Sequence, residues 1–451
     1  MKRTTALALC ILMLFSTCLV ACMGDGGESK KTTAQRTTEA PTTASTTTAA
    51  TTAGNVVTGP IPTPEKLVAE FEVKNATLYN AYQNPVSVLI DGNTYIDLQM
   101  QGWPTICRGD GDTLYAVSSI RRGHVDPYGA TAFYVSHDAG RTWEGPRIIN
   151  DTPVDDRDTG IAYMGEGRLI VSFFTIGAES FRQGGGYADL WDYMANPQQN
   201  ASKRKQWTKY TDEELKGGKW YLLSDDYGQT WTAPIKAPVT APHGPTVAND
   251  GSLIFCGAGD GGYIYLYRSY DFGRTWELVT RLQTPSKGET GGVGFSFTEA
   301  YCIQLRDGKY VACIRAGVIG VANDSATLRV FISYSDDGEN FTKAVPVPDV
   351  VGAPPHLLEL SNGALLLTYS YRGGIEDDDV VGARGRVSYD GGKTWDEEII
   401  ISESFLGADL GYPSTVELDD GTLITTYYQP AHGDTGSSLL YTRWRLVEPE
   451  D

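Results

Sequence analysis

Short apolar runs recur along this 451-residue chain at a nearly constant spacing, and that spacing restricts the fold more than any other feature. Each run is broken by a glycine and then resumes: Gly111 (GDTLYAV), Gly167 (GRLIVSF), Gly251 (GSLIFCG), Gly308 (GKYVACI), Gly363 (GALLLTY) and Gly421 (GTLITTY). Successive glycines lie 56, 84, 57, 55 and 58 residues apart, so a period near 56 occurs six times with one excess of about 28. A period of that length, filled with strand-length apolar segments and turn residues, is that of a propeller blade. The expected fold is all-β, a six-bladed β-propeller of four-stranded blades. The sixth period runs out after Leu440-Leu-Tyr-Thr-Arg-Trp444, so an N-terminal strand near residues 66–73 is expected to close the ring.

A second repeat sits inside the first. The octapeptide S-x-D-x-G-x-T-W appears at Ser136–Trp143, Ser224–Trp231, Ser269–Trp276 and Ser388–Trp395, with a degenerate fifth copy over Tyr334–Phe341. Asp in a turn accepts hydrogen bonds from backbone just ahead of it. Gly supplies a positive φ, and Trp covers the turn as the next strand begins. Each copy therefore reads as the corner between the third and fourth strands of a blade. The excess of about 28 residues falls around Phe181–Tyr221, which holds Tyr187, Trp191, Tyr193, Trp207, Tyr210 and Trp220. It is read either as a lid or sugar-stacking wall, or as a loop covering the propeller's flank.

Residues 1–22 are set apart as a lipoprotein signal. Lys2 and Arg3 precede a short apolar run, and Leu19-Val20-Ala21-Cys22 resembles a bacterial lipobox with Cys22 as the lipidated residue. Residues 23–63 form a flexible linker, with eleven Thr between Thr32 and Thr52 and no apolar periodicity. The propeller is assigned to residues 64–451. The chain is expected to be a monomer on the extracellular face of a bacterial membrane, touching that membrane through its lipid alone. A net charge of -19 argues against nucleic acid as a partner, since nothing neutralises phosphates. No Cys/His spacing resembles a metal site, and no cofactor is expected. Cys302 and Cys313 flank Asp307-Gly308 symmetrically. A two-residue hairpin there would place them face to face, either as a disulfide or as two buried thiols. The run Glu376–Asp379 reads as a solvated loop.

In a propeller the first strand of each blade lines the axis. Nine residues before each turn glycine stand Gly102, Asp158, Pro242, Glu299, Pro354 and Tyr412, which are expected at one mouth of the central funnel. At these residues the chain resembles the sialidase superfamily. The four octapeptides look like its Asp-boxes, over about residues 80–447. The resemblance implies a retaining exo-glycosidase acting on a terminal acidic sugar of a glycan. It implies Tyr412 as nucleophile, Glu299 as its base, and Asp126 on the loop after the first hairpin as acid. Arg315 and Arg372 match two arms of an arginine triad that binds the sugar carboxylate, a task suited to bidentate guanidinium groups. Two positions depart from the pattern. Gly102 stands where the family has the third arginine, and Gln429 where it has the glutamate that holds it. Arg121, Arg122 or Arg157 is the expected replacement. Asp158, beside Arg157, and His243, beside a mouth-lining proline, join the substrate-binding set, and His243 and His356 are read as marks of a different sugar. Another glycan-active hydrolase or lyase, or a glycan-binding propeller without catalysis, stays open.

Overall fold

The computed structural model describes residues 67–449, apart from 90–94, 195–196, 322–326, 374–379, 408 and 431–435. The signal segment with Cys22, the linker and the acidic run at 376–379 lie outside the described residues. Six four-stranded antiparallel sheets succeed one another in chain order, the blades of a six-bladed propeller. Blade one spans 100–150, blade two 155–236, blade three 246–281, blade four 295–351 and blade five 356–400. Blade six takes its three inner strands from 411–447 and its outermost from Val68–Tyr79. That last strand pairs from Val68↔Val447 to Tyr79↔Leu439, so the ring closes as expected, with a strand longer than the sequence pattern suggested.

Each sheet is apolar on both faces because each face meets a neighbouring blade. Tyr115, Val117 and Phe133 of blade one pack with Ile161, Leu169 and Val171 of blade two. Val311, Val330 and Ile332 of blade four pack with Leu357, Leu365 and Leu367 of blade five. Full burial of one such side chain contributes about 1.5–3 kcal/mol, so these wedges dominate the stability of the ring.

The octapeptides form near-identical corners. In the first, Ser136 Oγ donates to Asp138 Oδ1 at 2.8 Å and accepts from the Gly140 amide at 2.8 Å. Thr142 donates its amide to Oδ1 at 2.8 Å and its hydroxyl to Oδ2 at 2.6 Å. The corners at Asp226, Asp271 and Asp390 repeat this set. The degenerate copy uses Asp337 rather than Asp336, with Asn340 standing in for Thr. The box tryptophans also reach across blades. Trp231 packs edge-on against Phe133 at 5.5 Å and Trp276 against Tyr221 at 6.3 Å.

Two expectations about register need correction. Cys302 pairs with Ala312, and Cys313 with Tyr301. The connection from Gln304 to Tyr310 has five residues rather than two, so the strands are offset by one and the two sulfurs point to opposite faces. Cys107, Cys256, Cys302 and Cys313 are all free thiols. In blade one, the left-handed residue equivalent to Asp158 is Trp103 rather than Gly102. The turns of blades one and two both hold five residues, but Gly111 is third in its turn and Gly167 fourth, which shifts the count by one.

The excess segment folds into two helices, α1 (Ala188–Met194) and α2 (Pro197–Trp207), after a short turn at Ala178–Phe181. Four of its aromatics turn inward, while Tyr210 stays exposed and Trp220 half-buried. Phe181, Tyr187, Trp191 and Trp207 are buried against one another, and Trp207 Nε1 donates to the Pro153 carbonyl at 2.7 Å. The segment is therefore a packed brace and not an aromatic wall.

Candidate functional site

Blades one, two, four and six each break their innermost strand with a bulge at the mouth. The register slips between Gly102 and Thr105, Arg157 and Gly160, Thr298 and Ala300, and Gly411 and Ser414. Within each slip one residue takes a left-handed φ: Trp103 at 51°, Asp158 at 48°, Glu299 at 44° and Tyr412 at 56°. Such values are uncommon outside glycine and cluster at functional sites. A bulge of this kind re-aims one side chain, and here four of them converge on the funnel. Gly411 makes the approach of Tyr412 possible. A Cβ there would stand 2.2 Å from Ser370 Oγ, the atom that accepts the Tyr412 amide at 2.9 Å.

Tyr412 Oη donates to Glu299 Oε1 at 3.0 Å. Arg315, one strand outward in blade four, donates Nη1 to the same oxygen at 2.5 Å and lies 3.5 Å from Tyr412 Oη. Burial, then the Asp158 and Glu299 carboxylates, push the Tyr412 phenol well above its usual range, against Arg315 and Arg372. The phenol is therefore protonated at rest. Asp158 is itself raised to about 7, by burial first and Glu299 second. Arg315 is held charged by Glu299 and Tyr412 despite its burial. Arg372 is anchored to the Leu410 carbonyl at 3.1 Å, its guanidinium 5.9 Å from the Tyr412 ring centre.

Trp103 occupies the blade-one side. Its ring meets Tyr412 at 6.4 Å and Tyr428 at 6.2 Å, and Arg157 and Arg121 stack on it at 4.1 and 4.5 Å. Both arginines form ion pairs with the fully buried Asp155. They support Trp103 rather than reaching Tyr412. A Cβ built at Gly102 meets nothing within 4 Å, so space is open where a side chain at this position would begin. Gln429 bonds to Ser402, Asn75 and the Glu403 carbonyl, which ties it to the closing strand.

His243 and His356 lie beneath the site. His356 stacks on Tyr301 at 4.7 Å and meets His243 edge-on at 5.1 Å, while His243 Nδ1 is 3.1 Å from Thr105 Oγ1. Both are buried and held neutral, His356 down to about 3 by burial and His243 by burial and then His356. Gly160 and Gly244 touch at the same depth, where a Cβ on Gly160 would fall 2.1 Å from the Gly244 amide. The floor is thus closed one layer below Tyr412.

The predicted set therefore divides. Tyr412, Glu299, Arg315, Arg372 and Asp158 converge, and Arg121 and Arg157 back the wall. Arg122 and Asp126 turn toward the brace. Arg122 donates to both Asp126 oxygens from its side chain and to Oδ2 from its amide, and reaches Gln199 of α2 at 2.7 Å. Sequence reasoning passed over Trp103, His124, Asp409 and Tyr428. His124 stands edge-on to Trp103 at 5.2 Å, its Nδ1 2.9 Å from Asp409 Oδ1, which also accepts Tyr428 Oη at 3.1 Å. Among the described residues no three His, Cys, Asp or Glu side chains could hold a metal. No helix there is long and apolar enough to cross a membrane.

The BNR repeat-like domain family matches residues 193–425, just over half of the chain. The chain belongs to that family. No curated protein matches it. Among solved structures it is similar to a protein of unknown function from Dyadobacter fermentans DSM 18053, at 19% identity and TM-score 0.62, covering 84% of this chain and 99% of that one. It is also similar to the intramolecular trans-sialidase of Ruminococcus gnavus (16% identity, TM-score 0.51, 83% and 99% covered). A third neighbour is the K499G mutant of NanB sialidase from Streptococcus pneumoniae (12% identity, TM-score 0.54, 81% and 71% covered). At these identities the likeness establishes the shared propeller fold.

Proposed function

We propose that this BNR-repeat protein is a retaining exo-glycosidase of the sialidase type, releasing a terminal sialic acid or related acidic sugar from glycans. The observation that carries the reading is the 3.0 Å hydrogen bond from Tyr412 Oη to Glu299 Oε1, with Arg315 on the same oxygen. A carboxylate nucleophile would be repelled by an anomeric carbon that bears a carboxylate, whereas a neutral phenol is not. Glu299 takes the phenol proton as Tyr412 Oη bonds to the anomeric carbon and the bond to the leaving oxygen breaks. Water then displaces Tyr412, giving its proton to the group that had protonated the leaving oxygen, and Glu299 returns the phenol proton to Tyr412. Arg315 and Arg372 bind the sugar carboxylate, and Asp158 faces the sugar hydroxyls.

The open space at Gly102 favours a second reading, an enzyme of the same mouth acting on a different sugar. For localisation we propose a monomer held outside a bacterial membrane by a lipid on Cys22, with residues 23–63 as tether. The test is sugar release by the 64–451 domain from α2,3- and α2,6-sialyl glycans, beside Tyr412→Phe. Release that collapses in the variant supports the sialidase reading. An inert wild type would move the search to other glycans.

A further inference from the structure

The reaction needs a group that protonates the leaving oxygen, and the first mouth loop, residues 122–129, holds two candidates. Asp126 is only 2% exposed and both its oxygens accept from Arg122, which holds it in an ion pair. His124 is different. Its ring stands against Trp103, which in turn touches Tyr412, and its Nδ1 is held by Asp409. Asp409 lies three residues before Tyr412, just ahead of the strand Gly411–Glu417 that carries the nucleophile, so the pair stands where the chain enters the mouth. Trp103 separates the two as a rigid apolar spacer.

We infer that His124, oriented by Asp409, is the general acid and base of this site, in a place where the resemblance led to Asp126. The inference rests on the glycosidase reading above. In the first step, protonated His124 gives its Nε2 proton to the leaving oxygen while Tyr412 bonds to the anomeric carbon and Glu299 takes the phenol proton. In the second step, neutral His124 takes a proton from water as the water oxygen bonds to that carbon and the bond to Tyr412 Oη breaks, while Glu299 returns the phenol proton to Oη. Asp409 stays ionised throughout and fixes the tautomer, as a carboxylate beside a catalytic imidazole does elsewhere.

The loop is held from outside by the brace. Gln199 of α2 accepts from Arg122 and its carbonyl accepts from Tyr128 at 2.8 Å, while Lys203 Nζ lies 4.5 Å over the Tyr128 ring. From inside, Arg121 and Arg157 both donate to the His124 carbonyl, at 3.2 and 3.0 Å. The charged groups around the imidazole are therefore Asp409 from blade six, Arg121 from blade one and Arg157 from blade two. Burial, with the two arginines, pulls the imidazole below its ordinary value, against the opposing pull of Asp409. A group that must start protonated then gives activity that falls as pH rises through a value below the ordinary imidazole range. Removing the Asp409 charge moves that fall to still lower pH.

The experiment compares two leaving groups in the 64–451 domain: α2,3-sialyllactose, which needs acid assistance, and a 4-nitrophenyl sialoside, which needs little. His124→Gln is expected to lose roughly 100-fold or more on the first and under about tenfold on the second. Asp409→Asn should shift the alkaline limb of kcat/KM to lower pH. Asp126→Asn should show any loss equally on both substrates. Equal losses in His124→Gln on both substrates, or a leaving-group-dependent loss in Asp126→Asn, would overturn the inference. A wild type inert toward both would overturn the reading beneath it, a result distinct from either.

Discussion

At the far face of the propeller, five turns repeat one hydrogen-bond pattern around Asp138, Asp226, Asp271, Asp337 and Asp390. At the mouth, the equivalent positions of the six blades carry Trp103, Asp158, Pro242, Glu299, Pro354 and Tyr412. The first face repeats because every blade must make the same corner between its outer strands. The second varies because its side chains serve one asymmetric ligand. The backbone differs as well. Three octapeptide corners place a non-glycine left-handed residue (Ala139, Tyr227 or Phe272) directly before the left-handed glycine, the same way each time, whereas the left-handed residues of the mouth are Trp103, Asp158, Glu299 and Tyr412. Both faces carry backbone cost, and at the mouth it falls on the side chains aimed into the funnel.

The largest effect should come from the closing strand, which belongs to neither face. A domain begun at residue 80 lacks the partner of residues 439–447 and should fail to give a cooperative melt, whereas one begun at 64 should melt sharply. A sharp melt without the strand would show that blade six is complete on its own. The next effect separates the faces. Tyr412→Phe and Glu299→Gln should each lower sugar release by roughly a thousandfold or more while moving the melting temperature by less than about 2 °C. Asp390→Ala should do the reverse, lowering the melting temperature by about 2–4 °C with kcat unchanged. An Asp390 variant that is stable but inactive would contradict the separation.

Acid should weaken the far face. The Thr230 and Ser224 hydrogen bonds depress the Asp226 carboxyl to about 2. The Thr142 and Ser136 hydrogen bonds do the same for Asp138, against its burial. A carboxylate depressed on folding contributes stability that is fully present above its unfolded value, about 3.9, and is lost as pH falls toward the folded value. Melting temperatures should therefore fall between about pH 4 and 2, and less steeply in Asp138→Asn. The smallest effect is chemical. Denatured 64–451 domain should react with four equivalents of thiol reagent without prior reduction, and two equivalents would restore the Cys302–Cys313 disulfide.

The repeat made the fold legible, because a period of 56 with a turn glycine in each copy leaves few architectures. It also placed Glu299 and Tyr412 at one mouth, since both follow from strand register, whereas Arg315 was legible only through the resemblance to sialidases. What escaped the sequence depended on single-residue offsets or on pairing across the ring. Trp103 was missed because Gly111 sits one place earlier in its turn. The cysteine register was missed because a five-residue connection has a residue at its centre. His124 and Asp409 meet across 285 positions, and no local pattern marks that contact. The aromatic segment could not be assigned because buried and exposed tryptophans look alike in sequence, and α2 has no amphipathic stripe to betray the side it packs.

The most direct test of the account is to trap the glycosyl-enzyme. A 3-fluorosialyl fluoride, whose second step is slowed by the electron-withdrawing fluorine, would be incubated with the 64–451 domain and the peptides weighed. The account predicts a mass increase of one fluorosialyl group on the peptide carrying Tyr412, absent in Tyr412→Phe. Sugar release by an enzyme that never acquires the adduct, or an adduct on another residue, would contradict it.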